Sequence, residues 1–138
     1  MNVDVEVVIV VRAMVVFDGR VLVVQRTDEE SHASTWELPG GQMEAGEKPE
    51  KAIKREVLEE TGLAVYVKKL LFTSKSKIHR HKTLVFVTYL CVAEDDAVCL
   101  SGEHKDCVWA DKKQMEDLLS EALVKQLDIN HVWGFIDE

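Results

Sequence analysis

The segment that most restricts the fold is residues 40–63, GGQMEAGEKPEKAIKREVLEETGL. Pro49 fits the first turn of a helix, where its missing amide costs nothing, and Gly62 fits the position just past the last helical residue. The spacing predicts a helix over 47–61, approached through a turn in which Pro39 fixes the chain and Gly40-Gly41 lets backbone come close to a neighbour. Before this helix, residues 3–16 are dominated by β-branched side chains, and Asp18-Gly19 separates them from Val21-Leu22-Val23-Val24 as a hairpin turn does. After it, residues 63–73 and 83–92 read as strands joined by a basic connection, residues 75–82. Residues 107–110 form a short strand. Asp111 then caps a helix carrying Met115, Leu118 and Leu119, and residues 122–127 continue with helical character. A central helix flanked by strands, with more helix at the end, predicts an α/β fold in which helices cover a mixed sheet.

The chain has 138 residues, only two prolines and no Gly/Ser-rich linker or internal repeat, so a single domain over 1–138 is the expectation. Residues 27–35, TDEESHAST, should form a polar surface loop. The longest apolar run, residues 7–11, is too short to span a bilayer and stops at Arg12. The amino-terminal MNVDVEV is acidic where an export signal is basic, and Cys91, Cys99 and Cys107 lack metal-ligand spacing. They read as reduced thiols of a cytoplasmic protein, mostly in core or strand positions. The net charge of −8 repels duplex nucleic acid and anionic lipid, yet it leaves small phosphate ligands open, because a bound cation inverts the local field.

Three glutamates in the predicted helix are out of place by ordinary rules. Glu56, Glu59 and Glu60 project within roughly one 100° arc. Like charges at these spacings cost about 0.2–0.5 kcal/mol per pair, and the helix carboxyl end disfavours anions. A solvated acidic face with Lys51, Lys54 and Arg55 as partners is one explanation. The other is a hard divalent cation such as Mg²⁺, which takes oxygen ligands and bridges carboxylates to phosphates. The paired glycines upstream favour the cation.

Residues 41–63 resemble a complete Nudix box, the signature of MutT-type pyrophosphohydrolases: Gly41, five residues, Glu47, seven residues, Arg55-Glu56-Val57, Leu58, Glu59-Glu60, Thr61, Gly62-Leu63. Every specified position is filled, and a chance match is on the order of 10⁻⁸ per window. Gln25-Arg26, Trp36-Glu37-Leu38-Pro39-Gly40 and Trp109 extend the likeness to all but the last dozen residues.

The resemblance implies a Nudix-type α/β/α sandwich with a mixed sheet, the box forming a loop–helix–loop that holds Mg²⁺, with Mn²⁺ as a substitute. It implies Glu59 and Glu60 as metal ligands, Glu56 as a ligand or the base that activates water, and the Gly40 carbonyl as a further ligand. Glu103, in the loop before Trp109, is implied as another ligand or base. Glu47 and Arg55 are expected to support the loop as an ion pair. His104 is expected to be solvated, as a lone loop histidine usually is, with substrate binding as the alternative, and Trp36 either stacks on a base or packs at the core rim. The basic residues of 75–82 read as a solvated hairpin tip or as a phosphate- or RNA-facing loop.

The activity implied is hydrolysis of a phosphoanhydride bond, most directly a nucleoside triphosphate, normal or oxidised, to monophosphate and pyrophosphate. Dinucleoside polyphosphates and RNA 5′ ends are alternatives, although Tyr66 and Tyr89 do not sit where dinucleoside polyphosphate hydrolases place a tyrosine. The absence of proline beyond Pro49 counts against ADP-ribose. A non-catalytic nucleotide-sensing module is the alternative of another class, and the intact box carboxylates count against it. The partner expected is a small nucleotide, with no duplex nucleic acid or membrane, and a homodimer is left open by the resemblance.

Overall fold

The computed structural model describes residues 4–27 and 35–136; apart from its two ends, the polar loop expected over 27–35 lies outside them. Strand β1 (Glu6–Phe17) turns back into β2 (Arg20–Arg26) through Asp18 and Gly19, whose φ angles of 50° and 73° make the tight turn foreseen for this pair. The two arms stay paired only at Val16↔Val21 and Phe17↔Arg20, then separate. Residues 36–42 fill the wedge. Strand β3 (Trp36–Glu37) pairs with β2, and β4 (Gly40–Gln42) pairs with β1, so a single short segment occupies the gap between two parted strands.

Helix α1 (Pro49–Thr61) follows, then strands β5 (Val65–His79) and β6 (Lys82–Ala93). β6 lies parallel to β1 from Glu6↔Lys82 to Val16↔Val92, and β5 pairs antiparallel to β6 at the sheet edge. Strand β7 (His104–Ala110) adds to the free side of β2. Helices α2 (Lys112–Leu118) and α3 (Glu121–Ile129) and a 3-10 turn, Val132–Phe135, complete the described chain. The sheet is mixed, with seven strands among the described residues.

Alternation along the strands sends neighbours to opposite faces. Val11, Ala13 and Val15 of β1 pack with Ala52, Ile53 and Val57 of α1. Met14 and Val16 pack with Met115, Leu123 and Leu127 of α2 and α3. This is the expected α/β/α arrangement, with a separate core in each layer. No helix among the described residues is long and apolar enough to cross a membrane.

Several boundaries differ from expectation. The basic connection over 75–82 is mostly strand: β5 and β6 continue into it, and only Arg80 and His81 form the turn. β5 is an edge strand with one neighbour, so polar side chains such as Lys75 and Lys77 stay exposed without breaking the ladder, and lysine there discourages further pairing. Helix α1 begins at Pro49, not at 47, because Glu47 is engaged in the preceding loop. The terminal helical stretch is two helices: Leu119 is extended, and Ser120 accepts a hydrogen bond from the Leu123 amide to start α3. Asp111 caps α2 as expected, in a reciprocal box with Gln114.

Candidate active site

The site forms where α1 ends beneath the wedge. Gly62 takes φ 73° and closes the helix through its amide to the Leu58 carbonyl. The remaining carbonyls of the last turn find partners in a later loop: Cys99 N donates to Thr61 O and Ser101 N to Glu60 O. These bonds satisfy groups that a helix end otherwise leaves orphaned, and they anchor the loop carrying Glu103 beside the glutamates. Thr27 N donates to the Glu103 carbonyl, tying the same loop to the end of β2.

The two glycines of the approach serve different neighbours. A Cβ on Gly40 would stand 2.0 Å from the Val11 carbonyl oxygen, so only glycine lets β4 lie this close to β1. A Cβ on Gly41 would stand 2.6 Å from the Glu56 carboxylate. That carboxylate rests where a side chain would otherwise be. The Gly40 amide donates to Glu60 Oε2 at 3.1 Å, so the helix and the wedge segment are joined through a carboxylate.

Glu60 is buried, 3% exposed. Burial pushes its carboxyl up to about 8; the Gly40 hydrogen bond opposes this, and the charges of Glu56, Glu37 and Glu103 reinforce it. Its neighbours are Glu37 and His104, and ligand atoms from the three residues lie within 4.8 Å of one another. His104 Nε2 donates to Glu37 Oε2 at 2.9 Å and lies 3.8 Å from Glu60 Oε1. Its Nδ1 is buried without a partner. Arg26 Nη1 reaches the same Glu37 oxygen at 3.2 Å.

His104 therefore contradicts the expectation of a solvated loop residue. It opens β7 and is fully shielded, because that strand starts three residues before the apolar pattern suggested. Glu37 was visible only as part of the run before Gly40. Nothing in the spacing of Glu37, Glu60 and His104 joins them; the pairings of β2 with β3 and β7 bring Glu37 to His104, and the Gly40 hydrogen bond holds Glu60 of α1 beside them.

Arg55 organises the acidic residues around α1. It holds Glu47 in a two-pronged ion pair, Nε to Oε2 at 2.7 Å and Nη2 to Oε1 at 2.9 Å. Glu47 Oε1 also accepts from the Glu44 amide, which shapes the loop ahead of the helix. Arg55 Nη1 reaches Glu56 Oε1 at 3.0 Å and Glu59 Oε2 at 3.3 Å. Glu56 is mostly shielded; burial raises its carboxyl, and Arg55 opposes the shift. Glu59 is exposed and leans on Arg55, and Glu103 is also exposed. Trp36 packs against the core of the α2–α3 layer. Cys91 is buried in strand β6, Cys107 is partly buried in β7 and Cys99 is exposed, all three as free thiols.

Two of these carboxylates set opposite pH dependences of stability in metal-free protein. Unfolded Glu60 releases its proton near the ordinary 4.5 and folded Glu60 near 8, so the folded state holds the extra proton and stability falls as pH rises through that window. Arg55 holds Glu47 down to about 2, so its contribution is present above about 4.5 and is lost as pH falls toward 2. Urea unfolding in chelator across pH should show Glu60→Gln removing the decline on the alkaline side and Glu47→Gln reducing the loss on the acid side. A wild-type-to-Glu60→Gln difference that stays constant from pH 5 to 8 would overturn the Glu60 assignment.

Residues 7–128 match the family model for the NUDIX domain. The chain belongs to the NUDIX family, and it is a pyrophosphohydrolase acting on nucleotide derivatives. A MutT-like protein from Streptomyces ambofaciens is 32% identical over 110 residues, covering 80% of this chain and 67% of the relative. A CTP pyrophosphohydrolase from Escherichia coli (strain K12) is 26% identical over 105 residues, 76% of each chain. The crystal structure of a MutT protein from Methanosarcina mazei Go1 superposes with a TM-score of 0.80 at 21% identity, covering 94% of this chain and 96% of that one. The last likeness is one of fold.

Proposed function

We propose that this protein hydrolyses a nucleoside triphosphate to the monophosphate and pyrophosphate, with Mg²⁺ as its cation and Mn²⁺ able to replace it. The observation that carries the reading is Glu60: a carboxylate buried beside Glu37, with its proton affinity raised, is a costly arrangement that a cation relieves. The donors at hand are mainly hard carboxylate oxygens, the set that Mg²⁺ prefers. Glu56, Glu59, Glu60, the Gly40 carbonyl and Glu103 would hold it, with His104, bonded to Glu37, standing 3.8 Å from Glu60 Oε1. When bound, the cation supplies positive charge against the phosphates and lowers the pKa of bound water.

The chain's own groups do the rest. Water attacks a phosphorus of the anhydride, its oxygen forms the new P–O bond, and the bridging P–O bond breaks to release pyrophosphate. Glu56 takes the proton lost by that water; its raised affinity suits the task. Arg55 keeps Glu56 and Glu59 oriented without reaching the substrate. Arg26, beside Glu37, faces the cavity next to Gly40 and Gly41 and is placed to meet phosphate oxygens.

Support for a triphosphate comes from the name of the CTP pyrophosphohydrolase relative. Support for a free nucleotide over an RNA end comes from the hairpin: Lys82, beside its turn, pairs with Glu6, and Lys75 lines the cavity next to Arg12. The free thiols support a reducing, cytoplasmic compartment. A screen of nucleoside triphosphates, oxidised triphosphates, dinucleoside polyphosphates and triphosphorylated RNA with Mg²⁺ tests the proposal. Release of pyrophosphate from free triphosphates is the expected result. Nucleotide binding without turnover would instead establish a sensor.

A further inference from the structure

Two cavities open beside the wedge on the α2–α3 face of the sheet, of about 220 Å³ and about 290 Å³. They share Arg12, Phe86 and Leu123, so together they form one groove. One end reaches Glu37, Gly40 and Gly41; the other is lined by Ser74, Ser76, Ser120 and Gln126. Arg12 stands at the junction. Its guanidinium carbon sits over the Phe86 ring, 4.3 Å from the centroid, and its Nε donates to Thr88 Oγ1 at 3.4 Å. Burial lowers its pKa to about 10. None of the described carboxylates forms an ion pair with it; Glu37, in the same cavity, is taken by Arg26 and His104.

An arginine held in this way has one use for its end. The Phe86 ring supports the guanidinium, and Thr88 takes the inner nitrogen. The Nη1 and Nη2 hydrogens remain as a planar pair of donors for whatever fills the groove that Arg12 lines. Such a fork matches two neighbouring acceptors in one plane. Guanine offers them at N7 and O6, and cytosine at N3 and O2. Adenine sets an amino donor beside each ring acceptor on those edges, and thymine sets N3–H between its two oxygens.

We infer that Arg12, fixed over Phe86, is the specificity-determining residue of a nucleobase pocket in this groove, selecting bases that present two adjacent hydrogen-bond acceptors. The inference rests on the triphosphate reading above for the direction of the substrate: phosphates toward Gly40 and Gly41, base toward Gln126. An oxidised guanine carrying a keto group at C8 has a proton on N7 and loses the acceptor pair at that edge, so the intact base is the better ligand.

The test compares kcat/KM for dGTP, dCTP, dATP and dTTP in wild type, Arg12→Ala and Arg12→Lys, with folding checked by thermal melts. Lysine keeps the charge and removes the planar fork. Wild type should favour dGTP, dCTP or both by about tenfold or more over dATP and dTTP, and both variants should bring those ratios toward one. Where dGTP is favoured, 7-deaza-dGTP, which lacks the N7 acceptor, should lose that advantage in wild type, and equal turnover of dGTP and 7-deaza-dGTP would overturn the guanine reading. Equal losses for all four bases would make Arg12 a phosphate contact and overturn the inference, as would unchanged ratios. Binding of dGMP, dCMP, dAMP and TMP to metal-free protein is measured alongside. If no triphosphate is turned over, the triphosphate reading fails, while base-selective monophosphate binding that Arg12→Lys abolishes still upholds the pocket.

Discussion

Glu60→Gln is expected to lower kcat about 10³-fold, equivalent to roughly 4 kcal/mol of transition-state stabilisation, without unfolding the protein. The neutral amide keeps the acceptor for the Gly40 amide and removes the buried charge that a cation neutralises. Glu59→Gln should show a loss of similar order, although that side chain is exposed and contributes little to folding. Chelator should abolish activity in wild type, and Mg²⁺ or Mn²⁺ should restore it. Glu103→Gln is expected to act mainly on turnover, because its exposed carboxylate stands in a loop bonded to the end of α1. Glu47→Gln is expected to lower the melting temperature with less effect on turnover, because Glu47 meets Arg55 and the Glu44 amide. Saturation kinetics and melts on the four variants separate these effects. Full activity of Glu59→Gln and Glu60→Gln would end the metal-site assignment.

The paired glycines should respond to the same substitution in opposite ways. Gly40→Ala drives a methyl into the Val11 carbonyl and the Arg12 Cα, backbone atoms that cannot yield without parting β4 from β1. The expected cost is about 3 kcal/mol or more. For Gly41→Ala the nearest atoms are those of the Glu56 carboxylate, the end of a flexible side chain that can swing aside. The fold should survive with little change in stability, but displacing that carboxylate by about 1 Å should lower kcat on the order of 10²-fold. Urea unfolding and turnover, measured on both variants, decide the matter. A stable Gly40→Ala protein, or a Gly41→Ala protein with wild-type kcat, would refute this account of the approach segment.

What the amino-acid order revealed was whatever local chemistry writes at short range. The body of α1 from Pro49, its stop at Gly62, the Asp18-Gly19 turn and the Asp111 cap all follow from residues within a few positions of one another, while the Glu47–Arg55 pair followed from the resemblance to the Nudix box. The layered fold followed from the order of strands and helices. The cluster of Glu37, Glu60 and His104 did not, because strand pairings bring Glu37 and His104 together and Glu60 reaches them from the end of α1. His104 was misjudged for the same reason: polar residues at the start of β7 hid a strand whose partner, β2, lies far upstream. The length of β5 was hidden because an edge strand tolerates lysine on its open side. Arg12 read only as the end of an apolar run. Its place over Phe86 depends on the parallel pairing of β1 with β6.

Strand β1 gives its odd and even residues to separate layers: Val11, Ala13 and Val15 to the helix that bears the box, Val10 and Arg12 to the groove. For protein engineering this is a modular arrangement written into one strand. Exchanging Val10 or Arg12 changes the lining of the groove and leaves the packing under α1 alone, whereas Met14 and Val16 on the same face belong to the core beneath α2 and α3. A one-residue insertion has the reverse outcome, since it turns both rows over together and places the Arg12 charge in the core beneath α1.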